Sequence, residues 1–217
     1  MAEVFFPSCK ILNACPKSSE RLAAYIKSKF GVSPIGCCRQ NYQKLTLQDT
    51  AIVICNNCAA IMEENAAVGR IVFVWELIDS DPDFVFPDYH GEDITIQDCW
   101  RAHDKRNVQN AVRSILRKMN FKVHEVSENY ERTKYCGTTL LAPCPEASAR
   151  LTPKRYVENA RGIFKPMSEP DKKAWIKDYC SKIETEKVAC YCTGCARGIR
   201  EGGKEGLMLL DLLFAEA

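Results

Sequence analysis

Short apolar runs alternate with amphipathic stretches along this chain, and the alternation is written twice. The first half opens on Glu3-Val4-Phe5-Phe6-Pro7-Ser8-Cys9, an apolar run of strand length that ends in a cysteine. Leu22, Ala23, Tyr25, Ile26 and Phe30 then recur at the spacing of a helix face, with Ser18 and Ser19 offering N-caps. Phe30-Gly31-Val32-Ser33-Pro34-Ile35 reads as a second strand and Ala51-Ile52-Val53-Ile54-Cys55 as a third. A helix start follows, then the apolar run Ile71-Val72-Phe73-Val74-Trp75.

The second half repeats this order. Asp93-Ile94-Thr95-Ile96-Gln97-Asp98-Cys99 is the opening strand, and Val108, Val112, Ile115, Leu116 and Met119 form the helical face. Phe121-Lys122-Val123-His124-Glu125-Val126 and Lys187-Val188-Ala189-Cys190-Tyr191-Cys192 are the later strands. The apolar run from Leu207 leads into a C-terminal segment, 207–214, expected as a helix that packs its apolar face on its own sheet.

Strand–helix–strand alternation predicts an α/β fold of two tandem, related cysteine-rich units, each with a small, mostly parallel sheet and related by a pseudo-two-fold duplication. The expected units are 1–85 and 86–217, joined by a loop over 79–91 that is rich in Asp, Pro and Gly. The second carries an insertion over about 138–186, largely irregular because of Pro143, Pro145, Pro153, Pro166 and Pro170. One helix is expected inside it at 171–183, where Pro170-Asp171 suits a helix start.

Composition narrows the function. Hydrophobic residues make up 46% of the 217, enough for a packed core, and the net charge of +2 is scattered, which leaves no footprint for nucleic acid. The N-terminus lacks the basic and apolar regions of a signal peptide, and no apolar stretch is long enough for a membrane span. The expected location is the cytoplasm, where thiols stay reduced. Thirteen cysteines there point to metal or redox chemistry rather than a disulfide framework.

The cysteines repeat with the strands. Cys9, the doublet Cys37-Cys38 and Cys55-Asn56-Asn57-Cys58 are followed by Cys99, Tyr135-Cys136 and Cys192-Thr193-Gly194-Cys195. A glycine stands eleven residues beyond the last cysteine of each set, at Gly69 and Gly206. A C-x-x-C at a strand-to-helix turn sets its sulfurs beside free N–H groups and the positive helix end, which favour thiolate and an anionic cluster. Five cysteines exceed the four that tetrahedral zinc takes, so an iron–sulfur cluster is the preferred reading of the first set, ahead of zinc or metal-free thiol–disulfide chemistry. The four of the second set suit a cubane cluster or zinc.

Other candidates stand beside these. Cys15, Cys144, Cys180 and Cys190 fall outside the repeat and read as small buried hydrophobes, with Cys144 the alternative fifth ligand of the second set. His103 is the candidate proton donor to a leaving thiolate, against its reading as a surface histidine. Arg101 and Lys105 read as a solvated helix face or an attractor of anions, Trp75 and Trp100 as core or pocket wall, and His90 as a loop residue.

With the single Cys, the doublet, the C-x-x-C and the tandem order in place, nearly the whole chain resembles the CCG cysteine-rich domain family, typified by the cysteine-rich subunit of heterodisulfide reductase. The resemblance implies an enzyme with two [4Fe-4S] clusters, at least one noncubane, that reduces a small disulfide or related thiol substrate in one-electron steps. By the same resemblance Cys9, Cys37, Cys38, Cys55 and Cys58 hold the first cluster, and Cys99, Cys136, Cys192 and Cys195 hold the second, with zinc as the alternative there. It leaves a non-catalytic electron-transfer subunit and a zinc-stabilised interaction module as the other readings. The chain has neither a flavin signature nor a ferredoxin-type cysteine run, so an iron–sulfur or flavin protein is expected as electron partner. It departs from the family where Arg39 follows the first doublet, where Cys55 stands only seventeen positions after Cys38, and where Tyr135 stands in place of a cysteine.

Overall fold

A computed structural model describes residues 2–215. Strand β1 (Glu3–Phe6) leads to helices α1 (Cys9–Ala14), α2 (Pro16–Phe30) and α3 (Cys38–Asn41). Strand β2 (Thr50–Val53), helix α4 (Asn56–Asn65), strand β3 (Arg70–Phe73) and helix α5 (Val74–Ser80) complete the first half. The second half runs β4 (Asp93–Gln97), α6 (Arg106–Lys118), β5 (Lys122–Glu125), α7 (Glu146–Leu151), α8 (Glu169–Ser181), β6 (Lys187–Cys190), α9 (Thr193–Glu201), β7 (Glu205–Met208) and α10 (Leu209–Leu213).

Both sheets are parallel, as expected of an α/β fold. The first has the order β1-β2-β3 and the second β5-β4-β6-β7. Strands covered on both faces read as unbroken apolar runs. Accordingly Ala51 through Ile54 and Val188 through Cys190 are fully buried at the sheet centres. Gly69, just ahead of β3, and Gly206, inside β7, are places where backbone passes backbone. A Cβ on Gly69 would stand 2.2 Å from the Leu47 carbonyl oxygen, and one on Gly206 would stand 2.3 Å from that of Ala196.

The halves share one hydrophobic core and exchange helices. The last helix of each half lies on the long helix of the other, α5 on α6 and α10 on α2. One polar bond spans the α2–α10 contact, Ser18 donating to Asp211 at 2.6 Å, while Tyr25 donates to Asp81 and Tyr89 to the Leu212 carbonyl, each at 2.8 Å, within their own halves.

Four expectations are corrected. The second strand of the first half, 30–35, is reduced to a single bridge between Phe5 and Pro34, with Ile35 N–H donating to Phe5. Pro34 has no N–H to extend a ladder, whereas the corresponding segment of the second half forms β5. Helix α2 begins at Pro16, not after Ser18 or Ser19, since proline suits the first helical position; both serines lie buried inside the helix. The C-terminal run 207–214 is not one helix, because Leu207 and Met208 continue β7 against β6 and only Leu209–Leu213 is helical. The insertion also holds elements that its prolines hid: α7, and a wide turn at Lys154–Glu158. Its expected helix is α8, started by Ser168, whose hydroxyl accepts from the Asp171 N–H at 3.3 Å. Among the described residues no helix is long and apolar enough to cross a membrane.

Candidate metal centre

Parallel strands deliver their C-terminal ends to one edge, where ligands gather in open α/β sheets. In the second sheet that edge collects sulfur. Cys99 follows β4, Cys192 caps α9 after β6, Cys195 lies in the first turn of α9, and Cys136 comes from the loop beyond β5. The four Sγ atoms lie within 4.8 Å of one another, with Cys99 to Cys136 at 3.7 Å and Cys136 to Cys192 at 3.9 Å. Among the described residues this is the one group of three or more potential metal ligands drawn so close. Cys99, Cys136 and Cys195 are buried, and Cys192 is half-buried.

These residues fit a thiolate-bound metal. A tetrahedral ion with metal–sulfur bonds of about 2.3 Å holds its sulfurs about 3.8 Å apart, the spacing of Cys136 to Cys99 and to Cys192. The thiols are also poised to lose protons unequally. Hydrogen bonds from Cys136, Cys195 and Cys99 pull the Cys192 thiol well below its ordinary pKa, while burial pushes Cys99 and Cys195 up. The N-terminal end of α9 adds its dipole at Cys192 and Cys195.

Local backbone explains why these four converge. Gly137 has φ +58°, and a Cβ there would stand 2.1 Å from the Gly194 carbonyl oxygen, so the loop bearing Cys136 lies directly on the C-x-x-C turn. Cys99 is held by its neighbours. Its N–H donates to the Tyr191 hydroxyl at 3.3 Å, and that hydroxyl donates to Asp98 at 2.9 Å. Asp98 is completely buried against Arg113 and also accepts from the Tyr130 N–H at 2.8 Å.

Tyr135 occupies the place of the missing doublet cysteine without facing the sulfurs as a ligand. Its ring stacks on Tyr179 at 4.3 Å between centroids, and its carbonyl accepts from the Trp100 N–H at 2.8 Å. Cys144 does not join as a fifth ligand either. Its thiol points at the Tyr156 carbonyl, 3.5 Å away.

The five cysteines of the first set are gathered only in part. Cys58 shares hydrogen bonds with Cys38 and Cys55. These bonds pull Cys38 down and lower Cys55 to about 6, while Cys58 is pushed up. Ser8, in the left-handed region at φ 64°, also places its side chain on Cys55. Cys9 is exposed and Cys37 half-buried, and neither joins a close group of ligands among the described residues. The remaining Cys15, Cys180 and Cys190 are buried in the core.

Between the two sets stand residues whose place at a site no sequence pattern marks. Tyr156 is buried, donates to Asn57 at 2.7 Å, and lies within the electrostatic reach of Cys136, Cys99 and Cys55. The Arg101 guanidinium lies 5.6 Å from the Tyr156 ring centre and donates to Cys136 Sγ at 2.9 Å. Its position two residues after Cys99 is the only signal for it in the sequence. Lys105, grouped with it as an attractor of anions, instead meets Glu63 and Asp104. His103 has its Nδ1 2.8 Å from the Trp100 carbonyl oxygen and 3.4 Å from Arg155, and its ring stacks on Trp100. Trp75 and Trp100 are core residues, and His90 is an exposed turn residue with φ 53°.

Comparison with protein-family models, with curated proteins and with solved structures finds no match for this chain.

Proposed function

We propose that the chain is a metal–thiolate oxidoreductase that acts on a disulfide or related thiol compound, with an iron–sulfur cluster held by Cys99, Cys136, Cys192 and Cys195. The observation that carries this reading is the nearness of a second thiol group. Tyr156 donates to Asn57, inside the first C-x-x-C, at 2.7 Å, and the Arg101 guanidinium 5.6 Å from its ring centre donates to Cys136 of the second set at 2.9 Å. A bound cluster supplies electrons one at a time.

The chain's own residues provide the rest. Cys55, with its pKa lowered to about 6 by its bond to Cys58, is a thiolate at neutral pH, the form that attacks or leaves in thiol chemistry. Cys58, pushed up, keeps its proton beside it. Electrons would come from a partner iron–sulfur or flavin protein.

The sulfur spacing of 3.7–3.9 Å favours a second reading, a single zinc ion in a stabilising four-thiolate site. Metal and sulfide analysis of anaerobically purified protein, with its visible and EPR spectra, separates the two. Iron with matching sulfide and a reducible visible band is the expected result. Zinc alone without visible absorption selects the second reading, and absence of any metal rejects both.

A further inference from the structure

Three arginines stand around the metal centre: Arg113 and Arg155 are buried and matched by carboxylates, and Arg101 is half-buried. Arg113 meets Asp98 and Glu125, each at 2.7 Å. Arg155 meets Asp104 at 2.8 Å and Glu63 at 3.5 Å. Arg101 has no carboxylate partner among the described residues. Its Nη1 donates to Cys136 Sγ at 2.9 Å and lies 3.9 Å from Cys192 Sγ, while its Nε is buried without a partner.

A guanidinium stays charged in any protein setting, and withdrawing part of it from water without a counter-charge is destabilising. Neutral thiols are weak acceptors and cannot balance it. Four thiolates around a divalent ion carry a net charge of about −2, whether the group is one ion or a cluster of equal core charge. We propose that Arg101 is the counter-charge of a net-negative metal–thiolate centre, a positioning residue that holds the metal through Cys136 and Cys192. This rests on the metal-centre reading above. It assigns a role to a side chain outside the cysteine pattern, one that any bound metal at this place would feel.

Cobalt(II) is the probe for the test. Full-length protein stripped of metal is titrated with cobalt(II) against a chelator, and the sulfur-to-cobalt charge-transfer band is recorded. The wild type should bind in a tetrahedral four-sulfur spectrum. Arg101→Gln should bind about 10- to 100-fold more weakly, the loss typical when a partner of a metal ligand is removed, with its charge-transfer band shifted and its circular dichroism unchanged. Binding within twofold of the wild type, with an unshifted band, overturns the assignment. If Arg101→Gln does not fold, Arg101→Lys takes its place, because the compact, strongly hydrated ammonium lacks the planar guanidinium whose Nη1 is held between the two sulfurs. A three- to tenfold loss is then expected, and equality with the wild type overturns the role. A wild type that takes up no cobalt(II) is a different failure, that of the metal centre itself.

Discussion

The Tyr135 hydroxyl ends against the backbone of Gly198, so closely that a Cβ added at Gly198 would stand 2.6 Å from that oxygen and 2.5 Å from the Gly137 Cα. The aromatic ring thus fills the space beside α9, and the missing doublet cysteine is replaced by core packing. Gly198→Ala should cost about 1–3 kcal/mol through overpacking, read as a lower thermal midpoint. Tyr135→Phe should be neutral or stabilising, because the buried hydroxyl has no partner to lose. A marked destabilisation of the phenylalanine variant would contradict this account of the site.

Asp98 and Arg113 form the buried charge pair behind Cys99. Removing one partner of such a pair typically costs about 3–5 kcal/mol. Asp98→Ala should therefore lower the urea midpoint far more than Tyr191→Phe, which removes a single hydrogen-bonding hydroxyl at about 1–3 kcal/mol. Equal effects would mean that Asp98 acts only through Tyr191.

Two core thiols make the fold sensitive to alkali. Burial, assisted by Asp211, pushes Cys15 from 9.0 to about 12, and burial pushes Cys180 to about 11. A pKa raised on folding stabilises fully below the unfolded value and is lost as pH rises toward the folded one. Stability should thus fall between about pH 9 and pH 11–12. Urea midpoints measured from pH 8 to 10.5 should fall less steeply for the Cys15→Ala, Cys180→Ala double variant than for the wild type. Parallel slopes would remove these thiols from the explanation.

Glu64 ties the insertion to the first half. Its carboxylate accepts the N–H groups of Lys154 and Arg155 at 2.8 and 2.9 Å, at the turn that carries Tyr156 over Cys144. Glu64→Ala should loosen that turn. Cys144 alkylation should then accelerate several-fold while the thiols of the core remain slow, as followed by peptide mass spectrometry. An unchanged Cys144 rate would show that the Arg155–Asp104 pair suffices.

The sequence by itself determined the class of fold and the sheet edge where the cysteines gather. Apolar runs such as Ala51–Ile54 and Val188–Cys190 have the strand period and length, and each C-x-x-C follows one of them, so local pattern carried that information. It also marked Cys99, Cys136, Cys192 and Cys195 as one set. What only the tertiary structure decided is how far each set closes. Cys9 is exposed while the second set draws within 4.8 Å, and the halves also differ in their strands, a single bridge at Pro34 standing in the first where the second has β5. Nor could spacing show that Arg101 lies against Cys136, or that Asp98, Arg113 and Tyr191 meet behind Cys99 across 15 and 93 residues of chain. Periodicity reports on neighbours along a strand or helix; charge pairing and sulfur distances are set by segments remote in sequence and packed at one sheet edge.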